Sequence, residues 1–169
     1  MKQLKTLLFA CLIFVGATSL STAQSKIAHI NTTQLVEAMP EMKSAQAEIE
    51  KLSKTYEAEI KTMMTDLQNK VKQYQAEMDT KTEEENATRA QEVQQIEQSI
   101  RQYQGNAQQD LQKKEADLLK PIFEKAKAAI DKVAKAQGFQ YVLDSTQGGG
   151  VLVADGKDLL PDVKKELGF

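Results

Sequence analysis

The sequence predicts a mostly α-helical protein, in which a long antiparallel helical hairpin, the arm, projects from a small α+β body. Three observations predict this class. Aromatic residues are only 5% of the 169 residues, and there are 8 Gly and 3 Pro, fewer than compact β or α/β folds usually carry. Apolar residues recur at helical spacing over two long segments. Strand-like runs are short and lie near the two ends of the segment that follows the leader.

Charge and composition exclude several classes of protein. The chain has 22 Lys+Arg and 24 Asp+Glu, a net charge of −2, whereas nucleic-acid binders are usually strongly basic. One Cys and one His exclude a disulfide framework and a Cys/His zinc site. His29 has no nearby nucleophile or ligand partner in the sequence, so we expect it to be structural. We therefore expect that the protein is not an enzyme, that it has no catalytic residue, and that it binds neither a metal nor a cofactor.

Residues 1–23 have the three parts of a cleaved signal peptide. Lys2 and Lys5 form a basic start, residues 7–15 are apolar but too short to span a bilayer, and small residues precede a cleavage site near Ala23. The alternative is a lipoprotein signal ending at Cys11, which would leave an apolar remnant after cleavage. Cleavage at Ala23 removes two lysines and no acids, so the mature charge is 20 − 24 = −4.

The first part of the body, residues 24–41, is predicted to hold a strand and a short helix. The strand covers residues 25–31, with apolar residues on both faces. A helix over residues 31–39 follows, in which Asn31 and Gln34 are placed as a capping box. Pro40 ends it and suits the first turn of the next helix.

The arm is predicted over residues 42–120. Apolar residues of the ascending helix repeat every 11 residues, so that Ile49, Ile60 and Val71 are equivalent. This period favours a nearly straight helix. Residues 42–81 would span ~60 Å at the usual helical rise, which is wider than a small domain.

The chain is predicted to turn back at a tip near residues 79–82, where Thr82 and Glu85 form a capping box. In a hairpin the numbers of facing residues sum to a constant. Eight apolar pairs do so, with sums of 159 to 161; Tyr56 with Tyr103 and Ile60 with Ile100 are two of them. Gly105 in the descending helix and Pro121 at its root are the candidate hinges.

The second part of the body, residues 121–169, is predicted to begin with a kink at Pro121. The predicted elements that follow are a helix over residues 122–136 ending at Gly138, strands over residues 139–144 and 151–154 joined by the glycines at 148–150, and a last helix over residues 159–167 capped by Asp158. This is too little apolar material for a comfortable core. We therefore expect several chains to share one core, through Ile27, Ile30, Val142, Leu143, Leu152 and Val153.

Three segments together resemble one known family. They are residues 26–31, which read Lys-Ile-Ala-His-Ile-Asn, residues 138–144, which read Gly-Phe-Gln-Tyr-Val-Leu-Asp, and residues 158–163, which read Asp-Leu-Leu-Pro-Asp-Val. With the helical hairpin between the first two, their order resembles the Skp (OmpH-like) family of periplasmic chaperones. The resemblance covers the whole mature chain.

The resemblance implies a homotrimer in the periplasm, built on an intermolecular β-barrel. Three hairpins would hang from it as tentacles and hold unfolded outer-membrane β-barrel proteins without ATP. This chain departs from the family in charge, since family members are often basic and bind acidic lipids. Its tip, residues 77–92, has six acids against two bases, 2 − 6 = −4, which argues against contact with an anionic membrane. The root, residues 113–135, has seven lysines against four acids, 7 − 4 = +3.

Four apolar residues off the predicted seam are candidates for client contact: Met42, Met64, Leu119 and Phe123. The alternative for Leu119 and Phe123 is packing in the body, beside Pro121. The alternative function is a structural spacer or adaptor of an envelope-spanning assembly. Such proteins normally carry extra β-domains, for which this chain has no residues left.

Overall fold

The computed structural model describes residues 25–169, so the predicted signal peptide lies outside the described residues. The chain is mostly helical, with long helices and a small sheet, as the sequence predicts. The elements in chain order are β1 (Ile27–Ile30), α1 (Thr32–Ala38), α2 (Pro40–Glu77), a 3-10 turn (Met78–Thr80), α3 (Glu83–Ala136), β2 (Tyr141–Asp144), β3 (Lys157–Asp158) and α4 (Leu160–Leu167).

The sheet has three parallel strands in the order β2-β1-β3. In the register of β1 with β2, Ile27 faces Tyr141 and Ile30 faces Asp144. The first strand of the described chain is therefore central, and both of its partners come from the last 29 residues.

The predicted strand at residues 151–154, and the hairpin that joined it to β2, are wrong. The chain leaves β2 across the end of β1: the Ser145 amide donates to the Ile30 carbonyl at 2.9 Å, and the Thr146 hydroxyl contacts Asn31 at 3.3 Å. Gly148 and Gly150, both with φ near +85°, then turn the chain toward the other edge of the sheet. The third strand is instead Lys157–Asp158, parallel to β1.

The short helix forms as the sequence predicts, with one of the two hydrogen bonds of its predicted capping box. The Asn31 side chain accepts a hydrogen bond from the Gln34 amide at 2.9 Å, and α1 ends before Pro40, the first residue of α2. At the other end of the chain, Asp158 accepts from the Leu160 amide at 2.9 Å, although Leu159 is the N-cap of α4.

The turn between the long helices is fixed by its polar side chains. The predicted capping box is confirmed: the Thr82 hydroxyl accepts from the Glu85 amide, and the Glu85 carboxylate accepts from the Thr82 amide at 2.9 Å. The Asn86 side-chain amide also donates to the Met78 carbonyl at 3.0 Å. This pattern satisfies backbone groups that both helix ends leave free.

Polar contacts join α2 to α3 along their length. The contacting pairs are Glu41–Lys125, Glu48–Lys114, Tyr56–Asp110, Lys70–Glu92 and Glu77–Arg89. Their residue numbers sum to 162 or 166, so position falls along α3 as it rises along α2. Tyr56 and Tyr103, one of the pairs from the sequence arithmetic, lie edge to face with ring centroids 6.0 Å apart.

Pro121 does not end the descending helix, which runs unbroken from Glu83 to Ala136. The sequence predicted a kink there and a fresh start at residue 122. Proline removes one backbone hydrogen bond from a helix. Here the helical turns that follow Pro121 are stabilised by packing, because Ile122 and Ala126 are buried in the body core.

One apolar core joins the sheet to the helices that cover it. Its buried members are Ala28, Ile30, Leu35, Val36, Met39, Met42, Ala45, Ile122, Ala126, Ala129, Val133, Ala134, Leu159 and Val163. None of the helices within residues 25–169 has the length and apolarity of a membrane span.

Candidate functional site

One face of the sheet is not covered by any part of residues 25–169 and is largely apolar. Side chains alternate along β1, so Ala28 and Ile30 are buried while Ile27 is 50% exposed. On β2, Tyr141 and Leu143 point the same way and are 60% and 45% exposed. We call Ile27, His29, Tyr141 and Leu143 the open sheet face. An apolar sheet face of this kind marks an interaction surface.

The loop between β2 and β3 adds two more exposed apolar residues, Leu152 (97%) and Val153 (76%). His29 pins both ends of this loop: its Nδ1 lies 3.4 Å from the Ser145 hydroxyl, and its Nε2 donates to the Gly156 carbonyl at 3.2 Å. This histidine has the structural role that the sequence indicated.

The six predicted trimer-core residues divide into two groups. Ile27, Leu143, Leu152 and Val153 are exposed, and thus available to a second chain. Ile30 is buried in the core of its own chain, and Val142 is half-buried against that core.

Asp144 links the end of β2 to the start of α1. Its carboxylate accepts from the Thr32 hydroxyl at 2.6 Å and the Thr146 hydroxyl at 2.7 Å, and from the amides of both residues. Burial alone would raise the pKa of Asp144, but these four hydrogen bonds outweigh it and lower the pKa to about 2. Sequence analysis gave Asp144 no role, because its partner Thr32 lies 112 residues earlier in the chain.

A groove runs along the root of the arm, where α2 and α3 leave the body, and it encloses about 520 Å³. We call it the root groove. Its floor is apolar, with Met42 and Ala45 buried and Ile49, Leu118 and Leu119 half-buried. Its rim is polar, with three acids and one base among the residues Gln46, Glu50, Ser53, Lys54, Glu57 and Glu115.

The four client-contact candidates lie in different places. Met42 is only 8% exposed and belongs to the body core, so its contact with a client would be limited to the groove floor. Leu119 is half-buried in the same groove. Met64 (55%) and Phe123 (52%) are exposed, the first on α2 and the second on α3 near the body.

Sequence analysis missed an exposed methionine at the tip. Met78 is 57% exposed and lines a groove of about 320 Å³ with Val71, Tyr74, Ala90 and Val93. The apolar stripe of α2 includes Met78 in sequence, but α2 ends at Glu77 and Met78 starts the turn.

The tyrosines of the arm make polar contacts that the apolar pattern did not indicate. Tyr56 donates its hydroxyl to Asp110 at 2.7 Å, Tyr103 donates to Glu59, and Tyr74 donates to Glu92. The bond to Glu59 raises the pKa of Tyr103 to about 12, because the carboxylate favours the neutral phenol. Tyr103 and Asp110 lie on either side of Gly105, where an added Cβ would have no atom within 4 Å.

Within residues 25–169, no group of His, Cys, Asp and Glu side chains is arranged to hold a metal ion. The notable surfaces of the described chain are instead the open sheet face and the grooves of the arm. The described chain thus combines a small body that has an exposed apolar sheet face with a long two-helix arm.

The chain belongs to the OmpH-like family of outer membrane proteins, whose sequence profile, described as "Outer membrane protein (OmpH-like)", matches residues 26–167. The fold is similar to the crystal structure of an OmpH-like protein of Caulobacter crescentus, provisionally described as an outer membrane chaperone. That likeness has a TM-score of 0.75 and 18% identity, and it covers 85% of this chain and 83% of the other. A search of curated proteins finds no match.

Proposed function

We propose that this protein is an ATP-independent holdase chaperone of the periplasm, which binds unfolded outer-membrane β-barrel proteins and prevents their aggregation. The observation that carries the proposal is the distribution of apolar surface on the arm. The arm offers a root groove, a tip groove and the exposed Met64, well separated along its length. Several weak, spaced contacts can hold a chain without a fixed partner structure.

Methionine and groove surfaces suit clients of varied sequence. An unbranched thioether adapts its shape to different side chains. Met64 and Phe123 are the exposed candidates for client contact, while Met42 and Leu119 contribute to the root groove. Family membership supports the same function, because the OmpH-like protein of similar fold is itself provisionally described as an outer membrane chaperone.

We further propose that the arms of three copies form a cage around the client. Three copies would associate through their open sheet faces and the loop that carries Leu152 and Val153, so that their antiparallel arms surround a common space. Covering Ile27, Tyr141 and Leu143, which are 45–60% exposed, would remove apolar surface from water at about 25 cal/mol per Å². Gly105 and Pro121 are the points where we propose that each arm bends.

The predicted signal peptide and the charge of the tip support proposals about localisation and partners. Cleavage near Ala23 would release residues 24–169 into the periplasm. The tip has a net negative charge, and both of its bases already pair with acids: Lys81 lies 3.3 Å from Glu85, and Arg89 lies 2.5 Å from Glu77. We therefore propose that the tip does not bind an anionic membrane, and that nucleic acid is not a partner.

The test is aggregation of a denatured outer-membrane β-barrel protein, diluted from urea and followed by light scattering. Residues 24–169 at near-stoichiometric concentration should suppress the scattering without ATP. The same chain carrying Met64→Asp should suppress it less, because that change removes an exposed apolar contact. No suppression by the unmodified chain, or suppression only with ATP, would refute the holdase function.

A further inference from the structure

We propose that the root groove binds client segments in which an apolar side chain is flanked by lysine or arginine, so that the arm selects clients by charge as well as by apolarity. This inference rests on the proposed function and concerns which segments of an unfolded chain are held at the root.

The floor of the root groove suits one or two large apolar side chains. Its 520 Å³ lies within the range of about 300–1,000 Å³ that is usual for ligand pockets. Met42 and Ala45 are anchored in the body core, so this end of the floor is fixed. Leu118 and Leu119 form the opposite side, from α3.

The rim of the groove carries two carboxylates that form no salt bridge within the described chain. Glu50 pairs with Lys54 at 2.6 Å, so those two charges cancel. Glu57 accepts only from the Ser53 hydroxyl at 3.2 Å, and no lysine or arginine of residues 25–169 forms a salt bridge with Glu57 or Glu115. Glu57 is on α2 and Glu115 is on α3, so negative charge comes from both helices.

The lysines of the root do not supply the missing cations, although residues 113–135 have a net charge of +3. Four of the seven are engaged elsewhere, in the pairs Lys114–Glu48, Lys125–Glu41, Lys132–Glu166 and Lys135–Asp131. The basic composition of this segment is thus largely used within the chain. The groove beside it remains acidic.

An extended client segment fits this arrangement. Its apolar side chain would occupy the floor, and a neighbouring lysine or arginine would extend to Glu57 or Glu115. The long aliphatic stems of those cations can also cover apolar surface while the charge stays in water. A segment with glutamate in the same place would be repelled by the rim.

The experiment measures binding of two labelled peptides to residues 24–169 by fluorescence anisotropy. Both peptides alternate leucine with a charged residue, lysine in one and glutamate in the other. The lysine peptide should bind more tightly, and the double variant Glu57→Gln/Glu115→Gln should weaken its binding about fivefold, the scale of two exposed ion pairs. Raising the salt concentration should reduce the difference between the peptides.

A matched control separates the groove from overall charge. The variant Asp66→Asn/Glu84→Gln makes the same change in net charge at two exposed carboxylates outside the groove. It should bind the lysine peptide like the unmodified protein. Equal affinity for the two peptides, or an equal loss in the control, would overturn the proposal.

A photo-crosslinker at position 119 identifies the occupant directly. We expect products with the lysine peptide. Products between two protein chains alone, whether or not peptide is present, would mean that a second copy fills the groove and would also overturn the proposal. Failure of the unmodified chain to suppress aggregation would refute the holdase function, while the peptide measurements would still report on the groove.

Discussion

A single carboxylate, that of Asp144, holds two segments of the body together. It accepts four hydrogen bonds, two from Thr32 at the start of α1 and two from Thr146 after β2. These bonds also direct the chain across the end of β1, so Asp144 helps to decide where the following loop runs.

We expect Asp144→Asn to lower the free energy of unfolding at pH 7 by about 1 kcal/mol. A pKa shift from 3.8 to about 2 is worth about 2.5 kcal/mol, and solvent screening at this exposed side chain reduces it. Because the folded-state pKa is lowered, this stability is present above pH 4 and is lost as the pH falls toward 2.

Urea unfolding at pH 7, 4 and 2 measures this loss. The difference between the two proteins should shrink across the last two points. Asp155→Asn, an exposed loop carboxylate, is the control and should change stability by less than about 0.5 kcal/mol. A difference that stays constant to pH 2 would contradict the role assigned to Asp144.

Tyr103 provides a spectroscopic test of the arm. Its pKa is raised to about 12, so its contribution to stability is present below pH 10 and is lost as the pH rises toward 12. In an absorbance titration, Tyr103→Phe should remove a component that ionises near pH 12. Glu59→Gln should instead move that component toward the ordinary tyrosine pKa. An unchanged titration in both variants would exclude the contact with Glu59.

At the scale of elements, replacing two different glycines with alanine should have opposite effects on stability. Gly105→Ala should stabilise α3 by up to about 1 kcal/mol, because the position is helical and has open space around it. Gly138→Ala should destabilise the protein by about 1–2 kcal/mol, because Gly138 has φ +73°. Amide hydrogen exchange near residue 105 should slow in the first variant. If the arm bends there to fit its clients, that variant should also capture large clients less well than small ones.

The register of the two long helices is tested by cysteine pairs in residues 24–169, which contain no other cysteine. Cysteines at Ile60 and Ile100 should crosslink within one chain, since their sum of 160 matches that of the touching Tyr56 and Tyr103, 159. Cysteines at Ile60 and Val93 should not. Crosslinks formed between chains alone would show that the helices are paired differently.

Local signals in the sequence account for most helix boundaries. Pro40 starts α2, and Thr82 with Glu85 starts α3, because capping is settled by neighbours three residues apart. The third strand could not be predicted in this way. Lys157–Asp158 has no apolar alternation, and its pairing with Ala28 and His29 depends on contacts over more than 120 residues. The apolar residues 151–154 have strand propensity but pair with no strand of residues 25–169, and propensity alone does not supply a partner.

The root groove could be predicted only in part for the same reason. Met42 and Leu119 were recognised as lying off the seam, but that both line one groove depends on how α2 packs beside α3. That Glu57 and Glu115 form no salt bridge depends on the ion pairs of the folded chain, which the sequence does not give. The composition of residues 113–135 predicts a net positive charge at the root, whereas the rim of the root groove carries more acids than bases.

At the scale of the whole molecule, we expect residues 24–169 to sediment as a trimer at micromolar concentration. Leu143→Asp should shift the species toward monomer, because it places a charge in the centre of the open sheet face. Met64→Asp is the matched control, an exposed apolar residue of the arm, and should leave the sedimentation unchanged. A well-folded monomer of the unmodified chain would refute self-association through this face.

The central position of β1 sets the order in which the chain can fold. Its partner β2 lies 114 positions later, as Ile27 and Tyr141 show, so the sheet must wait until almost all of the chain has emerged. Joining distant ends costs conformational entropy that grows with the logarithm of the intervening length. If α2 and α3 pair with each other first, about 30 flexible residues remain between β1 and β2 in place of about 110. This lowers the free-energy cost of closing the loop between these strands by about 1 kcal/mol. The arm would then act during folding as the guide that brings the first strand to the last ones.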